Sequence, residues 1–394
     1  MIAYSSRIHR LSIRLFALMA LLYAAACVPL SSIVPNANTG QQIDVSAPVQ
    51  VALLVPGGNG QGSDAFLAAN LENAARMAMA DLNGVQVDLR VYNTGADPVQ
   101  AASVANLAVN DGAKILLGPL FAEAANAAGV AVASRNVNVL AFSNNPTIAG
   151  GNVFVLGSTF QNTANRLVNY ANRNGVTRFA VVHGEDLQGQ VGRDAIVNAV
   201  RANGAQLAAV ASYPVSQQGI LGSSNRIASS VRSGGADAVF LTAGVNADLP
   251  IIATALPDSG ISPENFQYIG LTRWNALPQG MALPGLQGGL FALPDRGMAA
   301  NFESRYAGIY GETPHPLAGL AYDGIAAIGA LVASGNRGAL TKSALTAPQG
   351  FQGTSGIFRF LPNGLSERGL AIAEVRGGQV VILENAPRSF GGGS

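Results

Sequence analysis

The residue types that could carry chemistry are concentrated in short loops, and the first loop follows an apolar run. The segment VALLVPGGNGQGSDAF, residues 51 to 66, turns from a strand-like run into glycines and then into a helix start. A phosphate-binding P-loop needs a Lys after its second conserved glycine, and Ser63 stands at that position. The dinucleotide fingerprint GxGxxG also fails, because Gly58, Gly60 and Gly62 run as GxGxG. The glycines therefore indicate a tight turn at the edge of a pocket rather than a nucleotide site.

Catalytic and metal-binding patterns give no support for an enzyme. His183, Glu185 and Asp186 form a short polar cluster, but the other histidines, His9 and His315, are far away in the sequence. The sequence contains no HExxH or CxxC metal motif and no GxSxG nucleophile motif. We expect no catalytic residue, no bound metal and no cofactor. Acidic pairs of this kind are also common at helix starts, where they interact with the helix dipole.

Composition bounds the class of protein. The chain has 394 residues, 49% of them hydrophobic, which is enough to fill the cores of two domains. Charged residues make up 11% and the formal net charge is +1. Nucleic-acid binders carry a strong positive patch, so no nucleic-acid partner is expected.

The two ends of the chain have distinctive compositions. Residues 1–26 combine three arginines with an apolar stretch too short to span a bilayer, which is typical of a secretory signal peptide. The polar residues 27–48 predict a flexible tether, and residues 386–394 predict a disordered tail. Cys27, the only cysteine, follows the apolar stretch directly. It is either the lipidated first residue of the mature protein or a thiol in a discarded peptide.

The stretch Ala24-Ala25-Ala26-Cys27 resembles a bacterial lipobox. The resemblance implies that acyl chains on Cys27 hold the protein at a membrane, since each buried methylene contributes about 0.8 kcal/mol. Val28 after the cysteine, rather than Asp, is similar to sorting signals for the outer membrane. The expected location is therefore the periplasm, with a lipid anchor in the outer membrane.

Between these ends, strand-like runs alternate with helical patterns, which predicts right-handed βαβ units and doubly wound parallel sheets. The rhythm restarts near Gly150, so two α/β lobes are expected: 49–150 with 287–340, and 151–286 with 350–385. The chain ends in predicted antiparallel hairpins over 356–361, 369–376 and 379–383. Strands are predicted at 49–55, 85–92, 114–118, 138–142, 153–156, 178–183, 206–213, 237–242, 267–270 and 286–293, and helices at 64–83, 98–111, 122–135, 160–174, 188–203, 222–233, 245–257, 298–310 and 315–334.

Several segments in this order resemble the type I periplasmic binding proteins of the leucine/isoleucine/valine-binding kind. They are DPVQAASVANLAVNDGAKILLGP at 97–119, VNVLAFSNN at 137–145 and RFAVVHGEDLQGQVGRDAIVNAV at 178–200. The resemblance covers about residues 49–385. It implies two lobes joined by a three-crossover hinge, which close on a solute without transforming it.

Within that superfamily, GPLFAEA at 118–124 and the ending GTSGIFRFLPNGLSERGLAIAEVRGGQVV look like the penicillin-binding protein activators, or LppC-like lipoproteins. That branch implies regulation of a peptidoglycan synthase as the function, with the penicillin-binding protein as partner. The alternative is the substrate-binding protein of an ABC transporter for amino acids, peptides or another small polar solute.

The ligand crevice of a doubly wound sheet lies beyond the carboxyl ends of its strands. Amino-acid binders of this fold hold the ligand carboxylate with two hydroxyls, but the matching positions here hold Ala122 and Asn144-Asn145-Pro146. Asn side chains suit a neutral polar or amide-bearing ligand, although they also cap loops. Trp274 could stack on a ligand or pack at the hinge. The candidate cleft residues are Gly58, Asn59, Phe121, Ala122, Glu123, Ser143, Asn144, Asn145, Phe160, His183, Glu185, Thr242, Arg273 and Trp274.

Overall fold

The first lobe is built on a five-stranded parallel sheet. The computed structural model describes residues 38–391 of the chain. The strand order is β2-β1-β3-β4-β5, so the sheet winds outward in both directions from its first strand. Its elements are β1 (Val49–Val55), α1 (Gly62–Ala80), β2 (Val87–Asn93), α2 (Pro98–Asn110), β3 (Ile115–Leu117), α3 (Ala122–Ala133), β4 (Asn138–Ala141) and β5 (Val153–Val155).

The second lobe repeats the alternation. Its central strands are apolar throughout because helices cover both faces of the sheet. Polar side chains cap the helix starts, as where the Asp186 carboxylate accepts the N–H of Gly189 at 2.9 Å. The elements are α4 (Phe160–Arg173), β6 (Arg178–Gly184), α5 (Leu187–Ala202), β7 (Gln206–Tyr213), α6 (Gln217–Ser233), β8 (Ala238–Leu241), α7 (Leu249–Asp258), β9 (Gln267–Gly270) and β10 (Leu290–Leu293).

The last part of the chain contributes elements to both lobes. It runs through α8 (Arg296–Tyr310), α9 (Gly319–Val332), α10 (Lys342–Leu345), β11 (Phe351–Gly353), β12 (Gly356–Phe360), β13 (Ser366–Arg368), β14 (Ala371–Arg376) and β15 (Gln379–Glu384). Strands β11 to β13 form a small antiparallel sheet whose phenylalanines join the first lobe's core. Strands β14 and β15 complete the second sheet, in the order β15-β14-β10-β9-β8-β6-β7.

Three crossovers join the lobes, as the family resemblance implies. The chain passes from β5 to α4 near Leu156, returns after β10 near Asp295, and passes again from β13 to β14 near Gly369. Each passage is short, so the three segments lie together and form the hinge.

The expected lobe boundaries differ from the structure at five strands: β5, β10, and β11 to β13, which were expected in the second lobe with 350–385 but pack in the first lobe's core. Residues Val153–Val155 pair with β4 and stay in the first sheet, since Val139 lies opposite Val153. Strand β10 pairs with β9 and β14 in the second sheet, although residues 287–340 were expected in the first lobe. The strand pairing depends on long-range registers that a linear pattern of apolar residues does not encode.

The expected hairpin between 356–361 and 369–376 is wrong. The turn at residues 362–364 leads instead into β13, which pairs with β12, and β14 departs to the second lobe. The second predicted hairpin is confirmed: β14 and β15 pair antiparallel around Gly377 and Gly378, both at positive φ.

The expected tether (27–48) and the expected tail (386–394) both include described residues that pack against the lobes. Ile43 lies in the first lobe's core, and the Nδ2 of Asn138 donates to the carbonyl of Thr39 at 3.2 Å. At the other end, Ala386 is buried and the guanidinium of Arg388 pairs with Asp295 at 3.2 Å. Burial of one apolar side chain at each end holds these segments against the lobes. The expected signal peptide and Cys27 lie outside the described residues.

Over residues 38–391, no helix is both long and apolar enough to cross a lipid bilayer.

Candidate functional site: the interlobe cleft

The carboxyl ends of both parallel sheets border the hinge. The first crossover leaves from the carboxyl end of β5, and the second leaves from the carboxyl end of β10. The loops that follow the strands of the two lobes therefore face the same gap, which is where a doubly wound sheet binds ligands. This gap is the candidate site, and we call it the interlobe cleft.

The Gly-rich loop after β1 is shaped by contact with β2. A Cβ on Gly57 would lie 2.6 Å from the Oδ1 of Asn93, so any larger residue there would displace the Asn93 side chain. Gly58 adopts φ +93°, a conformation that side chains disfavour. The Asn59 side chain bonds Asp64 at 2.6 Å and the N–H of Gln61, so it holds the loop's own shape.

The loop before α3 carries exposed rather than buried candidates. Phe121 is 39% exposed and precedes the first residue of the helix. Ala122 begins α3, and Glu123 is exposed in its first turn. Neither Phe121 nor Ala122 brings a hydroxyl group to this position. The side chains of this loop therefore offer a ligand an apolar ring and a carboxylate.

The loop after β4 supplies the strongest polar groups of the first lobe. Ser143 is buried and its Oγ accepts the N–H of Asn145 at 3.1 Å. The Oδ1 of Asn145 accepts from the backbone and hydroxyl of Thr147, so Asn145 caps the turn that follows. Asn144 is exposed, and its amide has no partner among residues 38–391. Asn144 therefore has its whole amide available to a solute, and the Ser143 O–H and the Asn145 Nδ2 remain as donors.

In the second lobe, His183 and Thr242 lie side by side at the ends of β6 and β8. Val182 pairs with Leu241, and the N–H of Gly184 donates to the Oγ1 of Thr242 at 3.3 Å. The Nδ1 of buried His183 lies 2.8 Å from the carbonyl of Gly184. A carbonyl can only accept, so Nδ1 carries the proton and a neutral ring keeps its Nε2 as an acceptor.

Two further groups at this edge were missed from the sequence. The register of β6 and β7 sets Ser212 opposite His183, and the Ser212 hydroxyl donates to Glu185 at 2.9 Å. The Tyr213 hydroxyl donates to Asp248 at 2.5 Å, and burial together with this carboxylate raises the pKa of Tyr213 well above its ordinary value. Asp248 directly precedes a helix, as Asp186 does, and an Asp at that position in the sequence could have marked it as a candidate.

The remaining second-lobe candidates divide into one exposed cation and two packed rings. The Arg273 guanidinium is exposed and has no partner within the described part of the chain. Trp274 is 1% exposed and stacks on Phe291 at 6.0 Å, so its ring belongs to the core. Phe160 is half-buried against the core beneath α4. The placement of Trp274 corrects its inclusion among the cleft residues.

The described residues hold no group of three or more His, Cys, Asp or Glu side chains arranged to bind a metal ion. The cleft groups are instead hydrogen-bonding side chains of both lobes. An arrangement of this kind can bind and orient a small polar molecule.

A family model described as periplasmic binding protein matches residues 48–379, which include both lobes and all three crossovers. The chain belongs to the periplasmic binding protein family. Members of this family are generally non-enzymatic solute-binding proteins of the periplasm.

Solved structures share the fold of this periplasmic binding protein. A provisionally named branched-chain amino acid ABC transporter protein of Rhodospirillum rubrum superposes with TM-score 0.70 at 20% identity, over 86% of this chain and 100% of that chain. A branched chain amino acid ABC transporter periplasmic ligand-binding protein of Burkholderia xenovorans gives 0.65 at 15% identity, over 86% and 96%. An ABC transporter substrate-binding protein of Sphaerobacter thermophilus gives 0.63 at 18% identity, over 87% and 98%.

Among curated proteins, an uncharacterized protein of Rickettsia prowazekii is 25% identical over 122 residues. The matched part is 31% of this periplasmic binding protein and 32% of that relative, so it spans about a third of the relative's length.

Proposed function

We propose that this protein is the solute-binding receptor of an ABC transporter and holds a small polar solute between its lobes. One observation carries the proposal. The carboxyl ends of the strands of both lobes face each other next to the three-crossover hinge, and both lobes present unused hydrogen-bonding groups there. The similarity in fold to ABC transporter binding proteins over 86% of the chain supports the same reading.

The cleft chemistry favours a neutral polar or amide-bearing solute over a free α-amino acid. On the first lobe, Ala122 has no hydroxyl. The Ser143 oxygen accepts from Asn145 and its proton can still be donated, but one hydroxyl at these two positions is not the pair that would hold a carboxylate. A buried carboxylate without partners is costly. The Asn144 amide and the His183 Nε2 can instead donate to and accept from a neutral group.

The test is a thermal-shift screen of the purified protein against amino acids, short peptides, amides and muropeptides. A solute that binds only the folded protein raises its melting temperature with concentration. We expect amides or peptides to produce the largest shifts. A larger shift with free amino acids would overturn the ligand class, and no shift with any solute would overturn the receptor function.

A second candidate function is activation of a peptidoglycan synthase by a lipid-anchored protein. It is favoured by the resemblance of residues 353–381 to penicillin-binding protein activators and by the lipobox-like Ala24–Cys27. The test is capture of a bifunctional penicillin-binding protein from envelope extracts on the immobilised protein, with mass spectrometry of the processed N-terminus. Capture of the synthase together with an acylated Cys27 would support this candidate. A free thiol on Cys27, or cleavage that removes Cys27, would contradict the lipid anchor that this candidate function requires.

A further inference from the structure

The residues after β15 cross from the second lobe to the first beside the hinge. Strand β15 is the outer strand of the second sheet, and Glu384 at its end pairs with Arg166 at 2.6 Å and with Arg173 at 3.0 Å on α4. Two residues later, Ala386 is 6% exposed and lies in the second lobe's core. The segment that follows therefore starts from a fixed point on the second lobe.

The next two residues contact the third and the second crossovers. The ring of Pro387 lies against Gly369 of the third crossover, where an added Cβ would come within 3.0 Å of the Pro387 Cγ. The Arg388 guanidinium pairs with Asp295 at 3.2 Å. Asp295 is held by first-lobe backbone, since its N–H donates to the carbonyl of Ser355, between β11 and β12, at 2.9 Å. The chain thus reaches first-lobe structure within two residues of the second lobe's core.

Phe390 ends the crossing on the small antiparallel sheet of the first lobe. Its ring is half-buried, and the Arg359 guanidinium of β12 lies 4.6 Å from the ring centroid. An ion pair with Glu367 on β13, at 2.6 Å, holds this guanidinium in place. A Cβ on Gly350 would lie 2.9 Å from the Cδ2 of Phe390, so the ring also packs against this glycine. Phe390 is therefore docked on the first lobe.

Residues 386–390, which we call the strap, are too short to follow a wide motion of the lobes. Five residues span at most about 14 Å between their ends when fully extended. A lobe rotation that moves the two docking points further apart than this must undock one end. The first-lobe end is the weaker one, because the Arg388 side chain is 73% exposed and exposed ion pairs and cation–aromatic contacts contribute little. The second-lobe end is a buried side chain next to a paired strand.

We propose that the strap holds the two lobes in the observed arrangement and releases from the first lobe when they rotate. Rotation about a hinge is the motion by which two-lobed proteins admit and enclose a ligand. The strap adds a resistance to this motion beyond that of the three crossovers. The proposal does not rest on the proposed function, because the arrangement of the lobes is measured with no solute present.

The experiment measures the distance between the lobes by pulsed electron paramagnetic resonance. Spin labels are attached at Ser103→Cys on α2 of the first lobe and at Ser229→Cys on α6 of the second lobe, two exposed positions outside the strap. Cys27→Ser removes the natural cysteine. The distance between the two labels then reports how the lobes are arranged.

Two variants free the first-lobe end of the strap. One combines Arg388→Ala with Phe390→Ala. The other ends the chain after Pro387, so that Ala386 stays in the second lobe's core. Both leave every strand and helix complete, and melting curves check that the variants remain folded.

The matched control combines Arg76→Ala with Phe66→Ala, which removes the same residue types from α1. Arg76 pairs with Glu72 on its own helix, and the ring of Phe66 contacts His315. Both contacts lie within the first lobe, so their loss should not change the distance between the lobes.

We expect the unmodified protein to show one main distance between the labels. Both strap variants should show a population of other distances that is larger by about threefold or more, and the control should match the unmodified protein. The proposal is overturned if either strap variant keeps the distance distribution of the unmodified protein. It is equally overturned if the control broadens the distribution as much as the strap variants do.

Discussion

Arg368 and Asp323 form a buried ion pair that ties the third crossover to α9. The Nη1 of Arg368 lies 2.8 Å from the Oδ2 of Asp323, and the two side chains are 6% and 1% exposed. The other Asp323 oxygen accepts the N–H of Thr354 at 2.6 Å, and the Arg368 Nη2 donates to the carbonyl of Leu156 at 2.9 Å. One guanidinium therefore connects the first crossover, the third crossover and the first lobe.

Arg368→Met should destabilise the fold by about 3–5 kcal/mol, because it leaves the Asp323 carboxylate buried without its partner. Urea unfolding followed by circular dichroism measures the loss. Arg90→Met is the matched control, since its pair with Asp88 is exposed on both sides, at 45% and 39%, and is worth about 0–1 kcal/mol. Equal losses in the two variants would show that the hinge pair is not structurally important.

Asn144→Ala and His183→Ala should each weaken binding of the cleft solute about tenfold or more. Asn144 is exposed, so its variant should keep the melting temperature of the free protein, whereas truncation of the buried His183 should lower it. Each removes a group available to the ligand, and the two groups come from opposite lobes. Calorimetry with the best solute from the thermal-shift screen gives the affinities. Asn106→Ala on α2 serves as the control, since this exposed asparagine lies outside the cleft and its amide bonds the carbonyl of Ala102 on its own helix. Two variants that bind as tightly as the wild type would exclude these residues from the site.

Trp274→Ala should cost about 3–5 kcal/mol of unfolding free energy, because the ring fills the second lobe's core beside Phe291. As the only tryptophan, it also reports on its surroundings by fluorescence. We expect emission typical of a buried indole and weak quenching by acrylamide, with or without the cleft solute. Strong quenching that the solute relieves would instead return Trp274 to the binding site.

Asp237 should contribute stability that disappears in acid. Hydrogen bonds, first from Arg178 and then from Thr177, outweigh the opposing effect of partial burial and lower the pKa of Asp237 from 3.8 to about 2. A depressed pKa in the folded state gives stability above pH 3.8 that is lost as the pH falls towards 2. Because the pair is partly exposed, the effect should be about 1 kcal/mol.

The measurement compares the unfolding free energy of the wild type and Asp237→Asn at several pH values. The variant should be less stable at pH 7, and the difference should shrink as the pH approaches 2. A difference that is constant with pH would mean that the charge of Asp237 does not stabilise the fold.

The sequence predicted the elements well and their assignment to sheets less well. Strand β1 and strand β7 have the predicted ends, because runs of β-branched and apolar residues bounded by turns are local signals. Which sheet β5 and β10 belong to depends on the strand that each pairs with, and no local pattern of residues encodes that pairing. Ile43 was overlooked because a single apolar residue in a polar segment has no period.

The cleft was predictable in position and less so in detail. Loops after strands are recognisable, so the sequence placed Asn144, His183 and Thr242 at the ends of strands, where the structure has them, and their role in binding stays a prediction. Whether a side chain faces the gap or the core was not recognisable, and Trp274 lies in the core because Gly270 and Gly289 leave room for its ring. Ser212 was missed because only the pairing of β6 with β7 sets it opposite His183, and this pairing is seen only in the folded protein.

The burial of Ile43 in the first lobe has a mechanical consequence. The first described residues, 38–43, are therefore fixed to this lobe and not to its neighbour. If the chain is held at a surface through this end, the first lobe stays in place and the second lobe moves about the hinge. Binding of a solute in the cleft would then change the distance between the second lobe and that surface. A partner protein in contact with the second lobe would respond to this change.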